Sequence, residues 1–310
     1  MTAPKAVRSV TVGRLAMPVP VLLASGPFGF GGRYPELFDV NELGAVTLKG
    51  AAPDPWPGNA PPRVAPIRGG LLNAIGLENP GIEAVLRGPA KELAARGARI
   101  VINVIGHSVE EFETVAIASA ESSDVRALEL NVSCPNIPDG LRYGTDPKAV
   151  YDLVRRVRKR VALPLWVKLP PAPPDRPTLA RAAEEAGADA LSLVNTLPGL
   201  SLSSQGRPRL GQGAGGLSGA ALKPVALLAV AECAQAVDID VIGMGGIATV
   251  RDAEEFLSAG AKAIAVGTAL FKNPLAAVEI ARALTERAPY RLGFASPSHT
   301  ETSEVAPCPS

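Results

Sequence analysis

The chain has 310 residues, with 31 basic against 30 acidic side chains and a formal net charge of +1. That balance leaves no electrostatic footprint for nucleic acid or for an anionic membrane, so small molecules or other proteins are the expected partners. Three cysteines without CxxC spacing (Cys134, Cys233, Cys308) suit a reducing cytosol and exclude an all-cysteine iron–sulfur cluster held by this chain alone, and two histidines give little support to a hydrolase triad or a metal site.

In chain order, Lys5, Arg8 and Arg14 precede an apolar stretch at residues 15–24 that superficially resembles a secretory signal. Pro18 and Pro20 interrupt it, and it reads better as a strand. No run of 18 apolar residues follows, so nothing is expected to span a membrane. Short apolar runs then recur at residues 19–23, 45–48, 100–102, 127–130, 165–167, 190–194, 240–242 and 263–266. Between most of them lie helical patterns. Ser108 with Glu111 and Thr249 with Asp252 are capping-box-like starts, and Asp146 and Asn273 each precede a proline at the first helical position.

Alternating strand and helix predict a parallel sheet, and eight units in this length predict a closed (β/α)8 barrel, a TIM barrel forming one domain over residues 1–292. A doubly wound open sheet is the alternative. Placement favours the barrel, because Ser25, Lys49, Asn103, Asn131, Lys168, Asn195, Gly245 and Gly267 all follow strands and would converge on one face. Residues 293–310, rich in Ser, Thr and Pro, are expected to be a disordered tail.

The run 127–136 leaves its strand for a polar loop holding Cys134, the cysteine with an evident chemical setting. Cys233 lies in a helical apolar pattern and is expected in the core. Residues 215–219 (Gly-Gly-Leu-Ser-Gly) are read as opening a helix, Gly245-Gly246 follows the seventh strand and Gly267-Thr268 the eighth. Such loops bring backbone N–H groups close to an anion and predict a phosphate site; tight barrel turns are the plainer reading. Residues 211–216 match GxGxxG formally but follow no strand, so a dinucleotide fingerprint is rejected and residues 200–212 are expected to form a mobile loop over the site.

Several motifs together resemble one family. They are Asn-Val-Ser-Cys-Pro-Asn at 131–136, Leu-Asn-Ala-Ile-Gly-Leu-Glu-Asn-Pro at 72–80, Asn-Thr-Leu-Pro-Gly at 195–199, the glycine run 215–219 and Gly-Met-Gly-Gly-Ile at 243–247. In order from about residue 19 to 271, the chain is similar to class 1 dihydroorotate dehydrogenases, most of all the NAD-linked class 1B. The resemblance implies a barrel that binds flavin mononucleotide (FMN) and oxidises dihydroorotate to orotate in pyrimidine synthesis. It implies that Cys134 is the base, taking the C5 proton of dihydroorotate while C6 gives a hydride to flavin N5. That proton is α to a carbonyl, and a thiol with a free pKa near about 8.5 can serve as base if nearby cations favour thiolate.

By the same resemblance Lys49 and Lys168 contact the flavin, Lys49 also touching substrate, and their positive charge would stabilise reduced flavin. Asn73, Ala74, Ile75, Gly76, Leu77, Asn131, Asn195 and Thr196 match the orotate cradle, where amides satisfy the donors and acceptors of a pyrimidine. Ser25, Gly50, Asn103, Asn131, Val194, Gly219, Gly245, Gly246, Gly267 and Thr268 match FMN contacts. His107 and His299 match nothing. The chain departs from the family pattern at Gly50-Ala51-Ala52-Pro53, where a side-chain contact to FMN is lost, and at Pro66-Ile67-Arg68, and it shows no family C-terminal helix. The resemblance further implies a cytoplasmic homodimer core joined to a subunit carrying FAD and a [2Fe-2S] cluster, a heterotetramer that reduces NAD. Alternatives are a fumarate-dependent class 1A enzyme, a dihydropyrimidine-dehydrogenase-like enzyme, a tRNA dihydrouridine synthase, disfavoured by the neutral charge, and a flavin-binding scaffold without turnover.

Overall fold

The computed structural model describes residues 9–133 and 142–286. Eight parallel strands close into a barrel in sequence order: Val21–Leu23, Ala45–Thr47, Ile100–Val104, Val125–Asn131, Leu165–Leu169, Ala190–Leu193, Asp240–Met244 and Ala263–Val266. The last pairs with the first, Ile264 opposite Val21, so no edge is left and the open sheet is excluded. Each expected strand is present. The first starts at Val21 rather than 19, because Pro20 has no N–H to donate; its carbonyl instead accepts from Ile264 N at 2.9 Å.

Period-two alternation sorts the strand side chains. Leu128, Val167, Leu191, Val241 and Ile264 pack outward with the helices, whereas Ala127, Trp166, Ala190, Ile242 and Ala263 form a separate cluster inside the barrel. An antiparallel hairpin, Val10–Val12 with Leu15–Met17, adds Val12, Leu15 and Met17 to that inner cluster and closes the N-terminal end. Its turn, Gly13 and Arg14, has φ of +47° and +68°. A Cβ on Gly13 would lie 2.5 Å from Trp166 Nε1, so the turn can sit against the barrel floor only as glycine. Arg14 Nε meets Asp189 at 2.6 Å, and Gly13 N donates to Asp240 at 3.0 Å. The stretch 15–24 thus builds the hairpin's second strand and the first barrel strand.

Four helix starts bear on the sequence reading. Ser108 accepts from Glu111 N at 3.3 Å and opens Val109–Glu121; Asp146 accepts from Lys148 N at 2.9 Å and opens Pro147–Arg158. Thr249 and Asp252 make a complete capping box ahead of Val250–Ser258. The last helix, Ala276–Glu286, starts two residues later than the proline predicts, because Asn273 caps a turn by accepting from Leu275 N at 3.0 Å. Thr249→Ala is expected to cost about 1 kcal/mol in denaturant unfolding; an unchanged midpoint would show the box to be dispensable. Among the described residues no helix is long and apolar enough to cross a membrane.

A second, four-stranded antiparallel sheet overlies the mouth, in the order Leu197–Leu200, Ala214–Ser218, Gly70–Asn73, Val64–Ile67. It corrects two expectations. Residues 215–219 do not open a helix: Ala214–Ser218 is a strand, and helical residues begin at Ala220. Glycine at 216 serves strand packing there, since a Cβ would fall 2.0 Å from Thr196 Oγ1. Residues 200–212 are not a free loop but the end of a hairpin fastened to the sheet's edge strand Val64–Ile67 and to the segment just before it. Arg209 Nη1 donates to Pro66 O at 2.6 Å, Gly211 N donates to Pro62 O at 2.8 Å, and Leu210 is buried with Ala65, Leu72 and Ala74. The formal GxGxxG falls on this hairpin rather than on a strand-to-helix turn. The expected boundary at 292, the tail 293–310, His299 and Cys308 lie outside the described residues.

Candidate active site

At the C-terminal ends of the barrel strands lies a cleft of about 730 Å³, within the range of small-molecule sites. All eight strand-end residues singled out from the sequence line it: Ser25, Lys49, Asn103, Asn131, Lys168, Asn195, Gly245 and Gly267. They meet because parallel strands in a closed barrel all point their C-termini at one mouth. Gly50, Val194, Gly219, Gly246 and Thr268 join them, so every residue matched to FMN borders one space.

The floor is a polar network one layer above the apolar barrel interior. Asn103 Nδ2 donates to Glu129 Oε1 at 2.6 Å, Ser192 Oγ donates to Glu129 Oε2 at 2.8 Å, and Lys168 Nζ stands 3.8 Å from Glu129 Oε1 and 3.3 Å from Ser25 Oγ. The lysine and glutamate side chains are 5% and 2% exposed. Burying two charges is tolerable only when they are paired and hydrogen-bonded, which this layer achieves. From Asn103 the chain of amides continues upward: Asn131 Nδ2 donates to Asn103 Oδ1 at 3.4 Å, and Asn195 Nδ2 donates to Asn131 Oδ1 at 3.2 Å and to Ser133 Oγ at 3.0 Å. Thr196 N in turn donates to Asn195 Oδ1 at 2.8 Å. These bonds fix the rotamers of Asn131 and Asn195 where they face the cleft.

The wall opposite comes from residues 73–78. Asn73, Ile75, Leu77 and Glu78 line the cleft, whereas Ala74 is buried beneath the second sheet and does not. Gly76 does not either; its φ of +74° and that of Leu77, +56°, turn the chain, and a Cβ at Gly76 would strike Asn59 at 2.5 Å. A left-handed leucine is strained, the kind of backbone that clusters at ligand-binding loops. Asn73 Nδ2 donates to Gly216 O at 3.2 Å, tying this loop to the hairpin. Lys49 Nζ lies 3.4 Å and Arg63 Nη1 3.3 Å from Glu78 Oε2. The field of Lys49 first, then that of Arg63, holds the Glu78 carboxyl below its usual range. Both lysines expected to bring bare positive charge to the site are therefore paired with carboxylates.

Three glycine-bearing turns also line the cleft: Gly219 (φ +99°), Gly245 and Gly246 (φ +119° and +81°), and Gly267-Thr268. A Cβ at Gly219 would come 2.7 Å from Gly70 Cα, and one at Gly246 2.9 Å from Gly219 O, so the first two turns nest closely. Lys223, at the start of helix Lys223–Ala236, bonds Asp252 Oδ1 at 2.7 Å and reaches Glu255 Oε2 at 2.8 Å. Hydrogen bonding to Asp252 raises its pKa. Asp252 also accepts from Ala248 N, Thr249 N and Thr249 Oγ1, so one carboxylate braces two of the turns.

Sequence reasoning missed Glu129, Ser192, Glu78 and Lys223. Glu129 had a readable signal: it stands two residues before Asn131 in a parallel strand, on the same face. Cys134 follows Ser133 directly in sequence and lies outside the described residues. Cys233 is fully buried, and burial pushes its thiol up to about 12, leaving it inert. His107 stacks on Trp56 with ring centroids 4.2 Å apart.

Fold and cleft define the class: a (β/α)8-barrel enzyme whose site lies at the C-terminal mouth. The family model for dihydroorotate dehydrogenase matches residues 8–288. Catalytic subunits of dihydroorotate dehydrogenase B (NAD(+)) are 46% identical in Malacoplasma penetrans over 84% of this chain and 86% of theirs, and 45% identical in Alkaliphilus oremlandii over 87% and 90%. The Geobacillus kaustophilus subunit is 46% identical over 86% of each. Among solved structures, that of dihydroorotate dehydrogenase from Eimeria tenella in complex with ferulenol superimposes with a TM-score of 0.74 over 89% of this chain and 83% of its own, at 20% identity, a likeness of fold. The chain belongs to the dihydroorotate dehydrogenase family and is an oxidoreductase.

Proposed function

We propose that this chain is the catalytic subunit of an NAD-linked dihydroorotate dehydrogenase, oxidising dihydroorotate to orotate in cytoplasmic pyrimidine synthesis. The observation that carries the reading is that all the residues matched to flavin line one cleft together with Lys49, Asn73, Ile75, Leu77, Asn131, Asn195 and Thr196 of those matched to orotate.

The cleft fits FMN, one per chain. Its glycine turns present backbone to a terminal phosphate, and Ser25 and Lys168 offer donors to a heteroaromatic ring. When bound, FMN supplies the hydride acceptor. The chain's residues would do the rest: Asn73, Asn131, Asn195 and Thr196 would hold the pyrimidine, Ile75 and Leu77 would wall it in, and Lys49, lining the same cleft, would bring its charge to flavin and substrate. Cys134, at the family's base position, takes the proton from C5. The amide network beneath is already bonded, so substrate meets preset donors and acceptors rather than reordering them.

For the oxidant, the relatives' name as catalytic subunits supports a partner. We take that partner to carry FAD and a [2Fe-2S] cluster, two such pairs forming a heterotetramer about a homodimer of this chain. The FMN-loaded chain alone is expected to oxidise dihydroorotate with a dye acceptor, to reduce no NAD, and to ignore dihydrouracil. NAD reduction should appear on adding the iron–sulfur flavoprotein. Fumarate reduction by the chain alone at a full physiological rate would replace the reading with class 1A, and turnover of dihydrouracil in place of dihydroorotate would replace it with the dihydropyrimidine reading.

A further inference from the structure

We propose that Glu129 is a positioning residue that sets the redox poise of the bound flavin by compensating the charge of Lys168. This rests on the FMN reading above. Lys168 lines the cleft; Glu129 does not, and lies beneath it, 2% exposed, inside the barrel. Both carboxylate oxygens accept hydrogen bonds from neutral donors, Oε1 from Asn103 and Oε2 from Ser192, the pattern of an acceptor-only group. Its distance of 3.8 Å from Lys168 Nζ is that of an ion pair with no solvent between to screen it, since both side chains are at most 5% exposed. Lys168 therefore presents to the cleft the positive end of a dipole rather than a whole charge.

Two-electron reduction makes the flavin ring more electron-rich, so a nearby cation binds the reduced form more tightly than the oxidised form, and a counter-charge weakens that preference. Asn103 couples the same carboxylate to the ring-facing amides, because its Nδ2 is committed to Glu129 while its Oδ1 accepts from Asn131. Glu129 thus acts through two cleft residues without touching the cofactor.

The test is the midpoint potential of bound FMN, measured by equilibrium reduction against a reference dye, in wild type, Glu129→Gln and the double variant Glu129→Gln/Lys168→Met. A unit charge about 10 Å away in a medium of intermediate dielectric shifts an equilibrium by about tenfold. Glu129→Gln should therefore raise the ratio of reduced- to oxidised-flavin affinity about tenfold, which is about +30 mV for two electrons. The double variant, which buries no lone charge, should fall at or below the wild-type potential because the dipole is gone. A purely structural role would weaken both flavin states alike and leave the potential where it was. Glu129→Gln that binds FMN at an unchanged potential overturns the proposal, as does a double variant whose potential stays above wild type; the latter decides the matter if the single variant does not fold. Failure of the wild-type chain to bind FMN at all would instead remove the cofactor reading, and this proposal with it.

Discussion

Replacing Cys134 with alanine is expected to slow reduction of the bound flavin by dihydroorotate about 10²- to 10⁴-fold, the range over which a positioned base accelerates proton removal. The C5 proton is α to a carbonyl and is poorly acidic in water, so without the thiolate only solvent remains to accept it. Apart from Asn131, which ends the strand before Cys134, the residues matched to flavin come from other strands, and FMN content should be largely retained. Anaerobic rapid mixing reads the step directly, free of the slower passage of electrons to any acceptor. A variant that reduces its flavin within tenfold of the wild-type rate would remove Cys134 from the mechanism and return the search for a base to the other groups facing the cleft, of which Lys49 is the first to test.

Lys168→Met is expected to destabilise the protein by about 3–5 kcal/mol, because it leaves the Glu129 carboxylate buried without its cation. The magnitude follows from burial. At 5% and 2% exposure neither side chain can recover its hydration when the other is removed. Adding Glu129→Gln to the same chain should restore most of the loss, since an amide in place of the carboxylate keeps an acceptor for Ser192 and buries no charge. Denaturant unfolding of the flavin-free proteins measures both. A single variant within 1 kcal/mol of wild type would show that water or a shifted side chain compensates Glu129, and would weaken the assignment of a buried pair.

The barrel and its mouth were legible because parallel strands buried on both faces read as short apolar runs, and the residues that leave such a run at its C-terminal end stand out as polar or glycine. Ser25, Asn103 and Lys168 could be named on that ground alone. Glu129 does not leave its strand, and only its two-residue spacing from Asn131 marks it as facing the same way; its contact with Lys168 comes from the pairing of neighbouring strands. The second sheet was hidden by its own composition. Leu-Pro-Gly-Leu at 197–200 and Ala-Gly-Gly-Leu-Ser at 214–218 have little strand propensity, and pairing between segments over a hundred residues apart, Gly216 with Asn73, decides their conformation. The N-terminal hairpin carried a signal, alternating Val-Thr-Val and Leu-Ala-Met about a two-residue Gly-Arg turn, but the apolar stretch 15–24 reads as one strand until the pairing of residues 15–17 with 10–12 divides it.

The measurement that bears most directly on the account is an anaerobic titration of the FMN-loaded chain with dihydroorotate, following the visible flavin band and the orotate released. The flavin should bleach with one orotate formed per flavin reduced, and that bleaching should be lost on the same timescale in Cys134→Ala. A flavin that stays oxidised under excess dihydroorotate, yet is bleached by dithionite, would contradict it.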